Sequence, residues 1–291
     1  MTARGTTWLF VPGDRPDRFT KAAASGADQV ICDLEDAVAE DNKAAARDAV
    51  REQLAAEGTR CWVRINPAHT PWHRDDLDAL VGLPGLAGIV VPKSESPHEL
   101  VALRVSVGDG TAVVALIETA VGVVGAGPMA ACLAVDRLAF GSLDFALDIG
   151  ADPDDDSALL LARSTVVMAS RVAGLPPPVD GVTPDVRDTV KVASHARRSR
   201  SLGFGAKLCI HPAQIAPVAN AFAPSPDEVA WARQVVARAG SAGGAAAAAD
   251  GTMIDRPVLA RAQRIMASAT PPAPGRAVDQ EGTSGEAPAS T

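Results

Sequence analysis

Short apolar runs rich in β-branched residues alternate with longer amphipathic or Ala-rich stretches along most of the chain. The apolar runs cover residues 7–11, 29–33, 60–65, 86–91, 112–117, 137–140, 178–182 and 206–210. Helical periodicity fills the intervals, at 41–56, 75–81, 97–105, 119–133, 157–173 and 185–201. Strands that alternate with helices pair in parallel. About eight such units is the number that closes a sheet on itself, so the pattern predicts an α/β fold of the TIM (β/α)8 barrel type. No G-x-G-x-x-G motif follows the first run, which weakens a dinucleotide-binding alternative.

The pattern changes after the eighth run. Ser225, with Glu228 three residues on, reads as a capping box that opens a helix to about Ala239. Residues 239–250 are rich in Gly and Ala, a linker or a continuation of that helix. A last helix is expected from Asp255 to Met266. Beyond it the chain turns to Pro, Gly, Ser, Thr and acidic residues, a disorder-type composition. The expected organisation is a barrel over 1–222, a helical extension or lid over 223–267, and a disordered tail over 268–291.

Bulk composition narrows the function. Hydrophobic residues make up 47% of the 291, enough for a large core, yet no apolar run approaches the ~20 residues of a membrane span. The start of the chain lacks the pattern of a secretory signal, so a cytoplasmic protein is expected. A net charge of −8 argues against nucleic-acid and membrane partners. Cys32, Cys61, Cys132 and Cys209 show no metal-binding or redox spacing and read as core residues. There is no Tyr, so a tyrosine base is excluded.

In a parallel barrel the chemistry gathers at the carboxyl ends of the strands. Nearly every run ends there in polar or charged groups: Asp33-Leu34-Glu35-Asp36, Arg64-Ile65-Asn66, Pro92-Lys93-Ser94-Glu95, Glu118-Thr119, Gly141-Ser142-Leu143-Asp144 and His211-Pro212. Such convergence points to an enzyme. Glu118 and Asp144, on adjacent strands, form a candidate metal pair. Two carboxylates suit Mg²⁺, whereas zinc would call for His or Cys at ligand spacing. The competing reading makes each acid a helix cap. Glu35 and Asp36 stand behind the pair as supporting carboxylates. Arg64 offers a planar fork to a substrate carboxylate, or else pairs with Asp33, Glu35 or Asp36. Lys93 faces the same rim, with Glu95 as a possible partner, and His211 reads as a structural hydrogen-bonder. Arg15, Arg18 and Lys21 follow the first run, placed to bind phosphates or simply to form a solvated charged face.

These stretches, together with Phe10-Val11-Pro12-Gly13, Cys209-Ile210-His211-Pro212, Gln214 and Met253-Ile254-Asp255, resemble the citrate lyase β-subunit-like branch of the HpcH/HpaI aldolase superfamily, which includes malyl-CoA and citramalyl-CoA lyases. The resemblance implies a Mg²⁺-dependent carbon–carbon lyase that cleaves or forms a short 3-hydroxy-dicarboxylyl-CoA thioester, yielding acetyl-CoA and an oxo acid such as pyruvate, glyoxylate or oxaloacetate. It implies Glu118 and Asp144 as Mg²⁺ ligands, with Arg64 and Glu118 in contact with substrate. By the same resemblance Asp255 is the catalytic aspartate, carried on a segment that covers a neighbouring subunit's barrel in a homo-oligomer, a trimer by preference. Arg15, Arg18 and Lys21 would face the CoA end. Alternatives are a citrate lyase β subunit acting on citryl-acyl-carrier protein, a pyruvate aldolase that needs no thioester, and an inactive scaffold subunit. Many relatives carry Gly-Gly-Glu-Asp where this chain has Gly141-Ser142-Leu143-Asp144, so Leu143 removes a carboxylate beside the metal aspartate.

Overall fold

A computed structural model of the chain describes residues 5–241, 246–247 and 253–269. Eight parallel strands close into a barrel in chain order. They are β1 (Thr7–Pro12), β2 (Gln29–Asp33), β3 (Cys61–Arg64), β4 (Leu86–Val91), β5 (Ala112–Ile117), β6 (Arg137–Phe140), β7 (Val179–Asp180) and β8 (Ala206–Cys209). The barrel carries the helices α1 (Phe19–Ala23), α2 (Lys43–Ala55), α3 (Trp72–Leu80), α4 (Pro97–Val107), α5 (Ala120–Val124), α6 (Ala126–Ala131), α7 (Ser142–Ile149), α8 (Leu160–Val172), α9 (Thr189–Leu202) and α10 (Ile215–Phe222). The TIM barrel expected from the sequence is the fold observed.

Strand alternation sorts the apolar side chains into two cores. Trp8, Ile31, Trp62, Val90, Val114, Leu116, Ala139 and Leu208 point inward and fill the barrel. Their neighbours, among them Leu9, Cys32, Val63, Ile89, Val113, Leu138 and Cys209, point outward to the helices. Within the barrel Trp8 and Trp62 lie 4.9 Å apart, and Gly88 makes room for them, since a Cβ there would sit 2.3 Å from the Trp62 ring. The four cysteines are free thiols, and Cys32, Cys61 and Cys209 are buried as core residues.

Several elements differ from the sequence reading. The expected helix over 119–133 is two short helices, α5 and α6, meeting at Gly125. Pro128 lacks an N–H, and its ring would clash with the carbonyl of Val124, so one continuous helix cannot form. The seventh strand has two residues rather than five, and α7 was not foreseen.

Among the described residues, those from Ala223 to Ala269 form a second compact unit. There α11 (Pro226–Ser241) opens on the expected capping box: Ser225 N–H donates to Glu228 at 2.8 Å, and Glu228 N–H donates back to Ser225 Oγ at 3.1 Å. β9 (Ala246–Ala247) pairs antiparallel with β10 (Met253–Ile254), and α12 (Arg256–Ala269) follows. Ala232, Val235, Ile254, Ala262 and Ile265 form its core, and Arg261 stacks over Trp231. The last helix therefore includes Ser268 and Ala269, which the sequence reading placed in a disordered tail. The rest of that expected tail, 270–291, lies outside the described residues. Among the described residues no helix is long and apolar enough to cross a membrane.

Candidate active site

At the carboxyl end of β2 the Asp33 carboxylate organises its surroundings. It accepts the backbone N–H groups of Glu35 (3.0 Å) and Ala37 (3.2 Å), which folds the following loop back over the strand. Arg64, its register partner on β3, donates Nε and Nη2 to the two Asp33 oxygens at 2.7 and 2.6 Å. Lys43, reaching from α2, donates to the carbonyls of Leu34 and Glu35 at 2.7 and 2.8 Å and so fixes the loop from behind. The Arg64 guanidinium also lies 4.8 Å from the Phe10 ring centroid, a cation–π contact at the barrel mouth.

Glu35 is buried between two cations. Oε1 accepts Lys93 Nζ at 2.7 Å. Oε2 lies 2.8 Å from Arg64 Nη1 but off the hydrogen-bonding direction, so this contact is a charge pairing. Asp36 is largely exposed, 3.6 Å from the same nitrogen. Asp33 thus engages two of the five Arg64 N–H groups and leaves donors on both terminal nitrogens. The ion pair and the substrate fork, alternatives for Arg64 by sequence, are compatible in this geometry.

Lys93 is the one non-glycine residue with positive φ (46°) among the described residues. Such a backbone costs on the order of 1–2 kcal/mol and persists where surroundings impose it. Here it aims the Lys93 N–H at Glu118 Oε1 (2.8 Å) while Nζ reaches Glu35 and approaches Asp144 Oδ1 at 3.9 Å. The partner suggested from sequence, Glu95, instead accepts Thr119 Oγ1.

Glu118 immediately follows β5 and is 1% exposed. Its Oε2 lies against Gly141, where a Cβ would sit 2.4 Å away, so only glycine lets the carboxylate occupy this place. Thr119, not Glu118, caps α5. Asp144, about one-third exposed, sits in the first turn of α7, where the helix dipole favours an anion. Asp33, Asp36, Arg64, Glu118, Ser142, Leu143 and Asp144 line one cavity of about 350 Å³, with Phe10, Leu116 and Leu208 contributing apolar surface. Burial pushes the Glu118 carboxyl up to about 8, helped by the Glu35 charge and then by Asp144, against the pull of Arg64. Crowded anionic oxygens with no nitrogen or sulfur donor fit a small hard cation. Among the described residues no three His, Cys, Asp or Glu converge on one point. A metal held by Glu118 and Asp144 would fill its remaining positions with water and substrate, as Mg²⁺ does.

The other predicted residues lie further out. Arg18 and Lys21 line an adjoining cleft of about 320 Å³ that shares Phe10, Pro12 and Ile210 with the first. Arg15 is exposed and engaged by Asp17 through two hydrogen bonds of 2.9 and 2.8 Å. His211 accepts the Ala213 N–H through Nδ1, a local capping role. Asp255 belongs to the second unit, where Oδ1 accepts the Val258 N–H at 3.0 Å at the start of α12.

The match to known proteins covers most of the chain. The family model for HpcH/HpaI aldolase/citrate lyase matches residues 6–212. The chain belongs to this family. A citrate lyase subunit beta-like protein of Mycobacterium tuberculosis is 38% identical over 91% of this chain and 96% of its own length. A (3S)-malyl-CoA thioesterase of Cereibacter sphaeroides is 32% identical over 90% of this chain and 93% of its own. Among solved structures, the Mycobacterium tuberculosis protein CitE in complex with magnesium, acetoacetate and coenzyme A matches with a TM-score of 0.82 and 37% identity, covering 92% of this chain and 99% of that one.

Proposed function

We propose that the chain is a Mg²⁺-dependent carbon–carbon lyase that cleaves a short 3-hydroxy-dicarboxylyl-CoA thioester, of the malyl or citramalyl kind, into acetyl-CoA and a 2-oxo acid. The observation that carries the reading is the meeting of Glu118 and Asp144, from adjacent βα units, in one cavity with the Arg64 fork. The relative solved with magnesium, acetoacetate and coenzyme A supports it.

Such a substrate bears a hydroxyl α to a carboxylate and β to the thioester carbonyl. Glu118 and Asp144 would hold the cation. When bound, Mg²⁺ supplies Lewis-acid stabilisation of the hydroxyl and carboxylate oxygens. Arg64, held in place by Asp33 and Phe10, orients the carboxylate through its remaining N–H groups. Lys93 offsets the charge of Glu35 and holds Glu118 in position through its backbone N–H. Cleavage passes the hydroxyl proton to solvent, turns the C–O bond into the oxo group, and leaves the electron pair of the broken bond on the carbon α to the thioester as an enolate. Asp255 returns a proton to that α carbon, or removes one in the condensing direction. The Arg18 and Lys21 cleft receives the phosphates of the CoA tail, with Arg15 nearby.

Asp255 acts on the barrel of a neighbouring copy in a homo-oligomer, with a trimer favoured. Exposed apolar side chains on neighbouring helices, including Val121 and Val124 of α5, Leu147 of α7 and Leu161 of α8, support association.

The test is product analysis with malyl-CoA and citramalyl-CoA, in Mg²⁺ and in EDTA. Acetyl-CoA plus glyoxylate or pyruvate, formed in Mg²⁺ alone, is the expected result. Free CoA plus the intact hydroxy acid would instead assign a thioesterase. Activity restricted to citryl-acyl-carrier protein would assign a citrate lyase β subunit.

A further inference from the structure

The lining of the 350 Å³ cavity contains one side chain that neither the barrel core nor the proposed chemistry explains. Leu143 lies between Ser142 and Asp144 in the first turn of α7 and lines the cavity with both. It is 37% exposed, so the hydrophobic core gains little from it. The first turn of a helix favours acidic or capping side chains, so helix stability does not call for Leu either. Its apolar surface is continued in the same cavity by Ile210, also 41% exposed, and by Phe10, Leu116, Val182 and Leu208. The cavity thus has an acidic and cationic part around Glu118, Asp144 and Arg64, and an apolar part around Leu143 and Ile210.

We infer that Leu143 is a specificity-determining residue, and that it selects substrates whose oxo-acid portion carries a short alkyl branch over those that carry hydrogen there. The inference rests on the lyase reading above and narrows its substrate class to 3-alkyl-3-hydroxy thioesters. A ligand bearing only polar groups would dry the cavity while leaving Leu143 and Ile210 without an apolar partner. A methyl or ethyl branch covers that surface, a gain of roughly 4- to 10-fold in affinity per carbon. A carboxylate at position 143 would remove the surface and add repulsion to the charges of Asp144 and Glu118.

Calorimetric titration of glyoxylate, pyruvate and 2-oxobutyrate in Mg²⁺ tests this without turnover. The readout is the affinity ratio of the alkyl-bearing acids to glyoxylate, in which the hydration of glyoxylate cancels between variants. The ratio is expected to fall about tenfold in Leu143→Glu, and less in Leu143→Ala, relative to the native chain. Leu143 is partly exposed, so both variants are expected to fold, as thermal melting would verify. Binding of all three acids with an unchanged ratio in Leu143→Glu overturns the role of Leu143 and leaves the lyase reading standing. Failure of any oxo acid to bind in Mg²⁺ overturns both.

Discussion

Asp33 and Arg64, opposite one another at the carboxyl ends of β2 and β3, share two parallel hydrogen bonds of 2.7 and 2.6 Å inside the barrel mouth. Both are buried, and the pair anchors the loop that carries Glu35 and Asp36. Removing one charge from a buried pair costs about 3–5 kcal/mol because the other is left uncompensated. Glu35 still faces Arg64, so Asp33→Asn is expected at the low end, about 3 kcal/mol. For a unit of this size that lowers Tm by roughly 6–12 °C. Differential scanning calorimetry checks it; a shift under about 2 °C would show that Asp33 is not the anchor.

Asp33 also marks where reading the sequence reached its limit. The eight apolar runs located the barrel because a buried parallel strand needs continuous apolar residues whatever surrounds it. Runs 29–33, 112–117 and 137–140 coincide with β2, β5 and β6. Closure in chain order then brings Glu118 and Asp144 to one rim, so the acidic pair was legible. The wiring was not. Lys93 pairs with Glu35, 58 positions away, rather than with nearby Glu95, through a left-handed backbone that no local pattern announces. Asp33 was visible only as a possible partner of Arg64, though an acid ending one strand opposite an arginine ending the next is a usable signal. The short helix α7 hid behind the motif at its start, because eight residues give too few turns for periodicity to register.

Mg²⁺ binding should release protons below about pH 8. In the metal-free chain burial and neighbouring carboxylates raise Glu118 to about 8, against an ordinary 4.5. Between those values the folded protein holds a proton that the unfolded chain has lost. This group's contribution to stability is therefore greatest below pH 4.5 and is lost as pH rises toward 8. A metal ligand must be ionised, so apparent Mg²⁺ affinity should climb by up to about tenfold per pH unit from 6 to 8 and level off above. Calorimetric titration in two buffers of different ionisation heat measures the protons released. A pH-independent affinity would mean that Glu118 is already ionised in the metal-free chain or is not a ligand.

Gly141→Ala tests the same carboxylate by geometry. The new methyl would lie 2.4 Å from Glu118 Oε2 and 2.5 Å from its Cβ, so the side chain must move. Mg²⁺ affinity is expected to drop at least about tenfold, since misplaced ligand groups commonly cost 10- to 100-fold. Far-UV circular dichroism should remain native. Undiminished metal binding would mean that Glu118 has room the packing denies it.

Asp255→Asn separates the helix cap that Asp255 forms from the proton transfer proposed for it. Its Oδ1 accepts the Val258 N–H at the start of α12, and Asn caps a helix as well as Asp does. The second unit should therefore keep its stability, and Mg²⁺ affinity should stay at the native level. Asn cannot carry an acid–base proton, so kcat is expected to fall by at least about 10². Near-normal turnover would leave Asp255 as a cap and nothing more. The variant also tests whether sites are completed between copies. Co-expressed with Glu118→Ala chains, which lack a metal ligand but keep Asp255, it should recover part of the activity, because some barrels would combine an intact Glu118 with a neighbour's Asp255. Neither variant has such a pairing alone. If co-expression yields no more activity than the two variants measured separately, Asp255 serves its own chain's barrel or none.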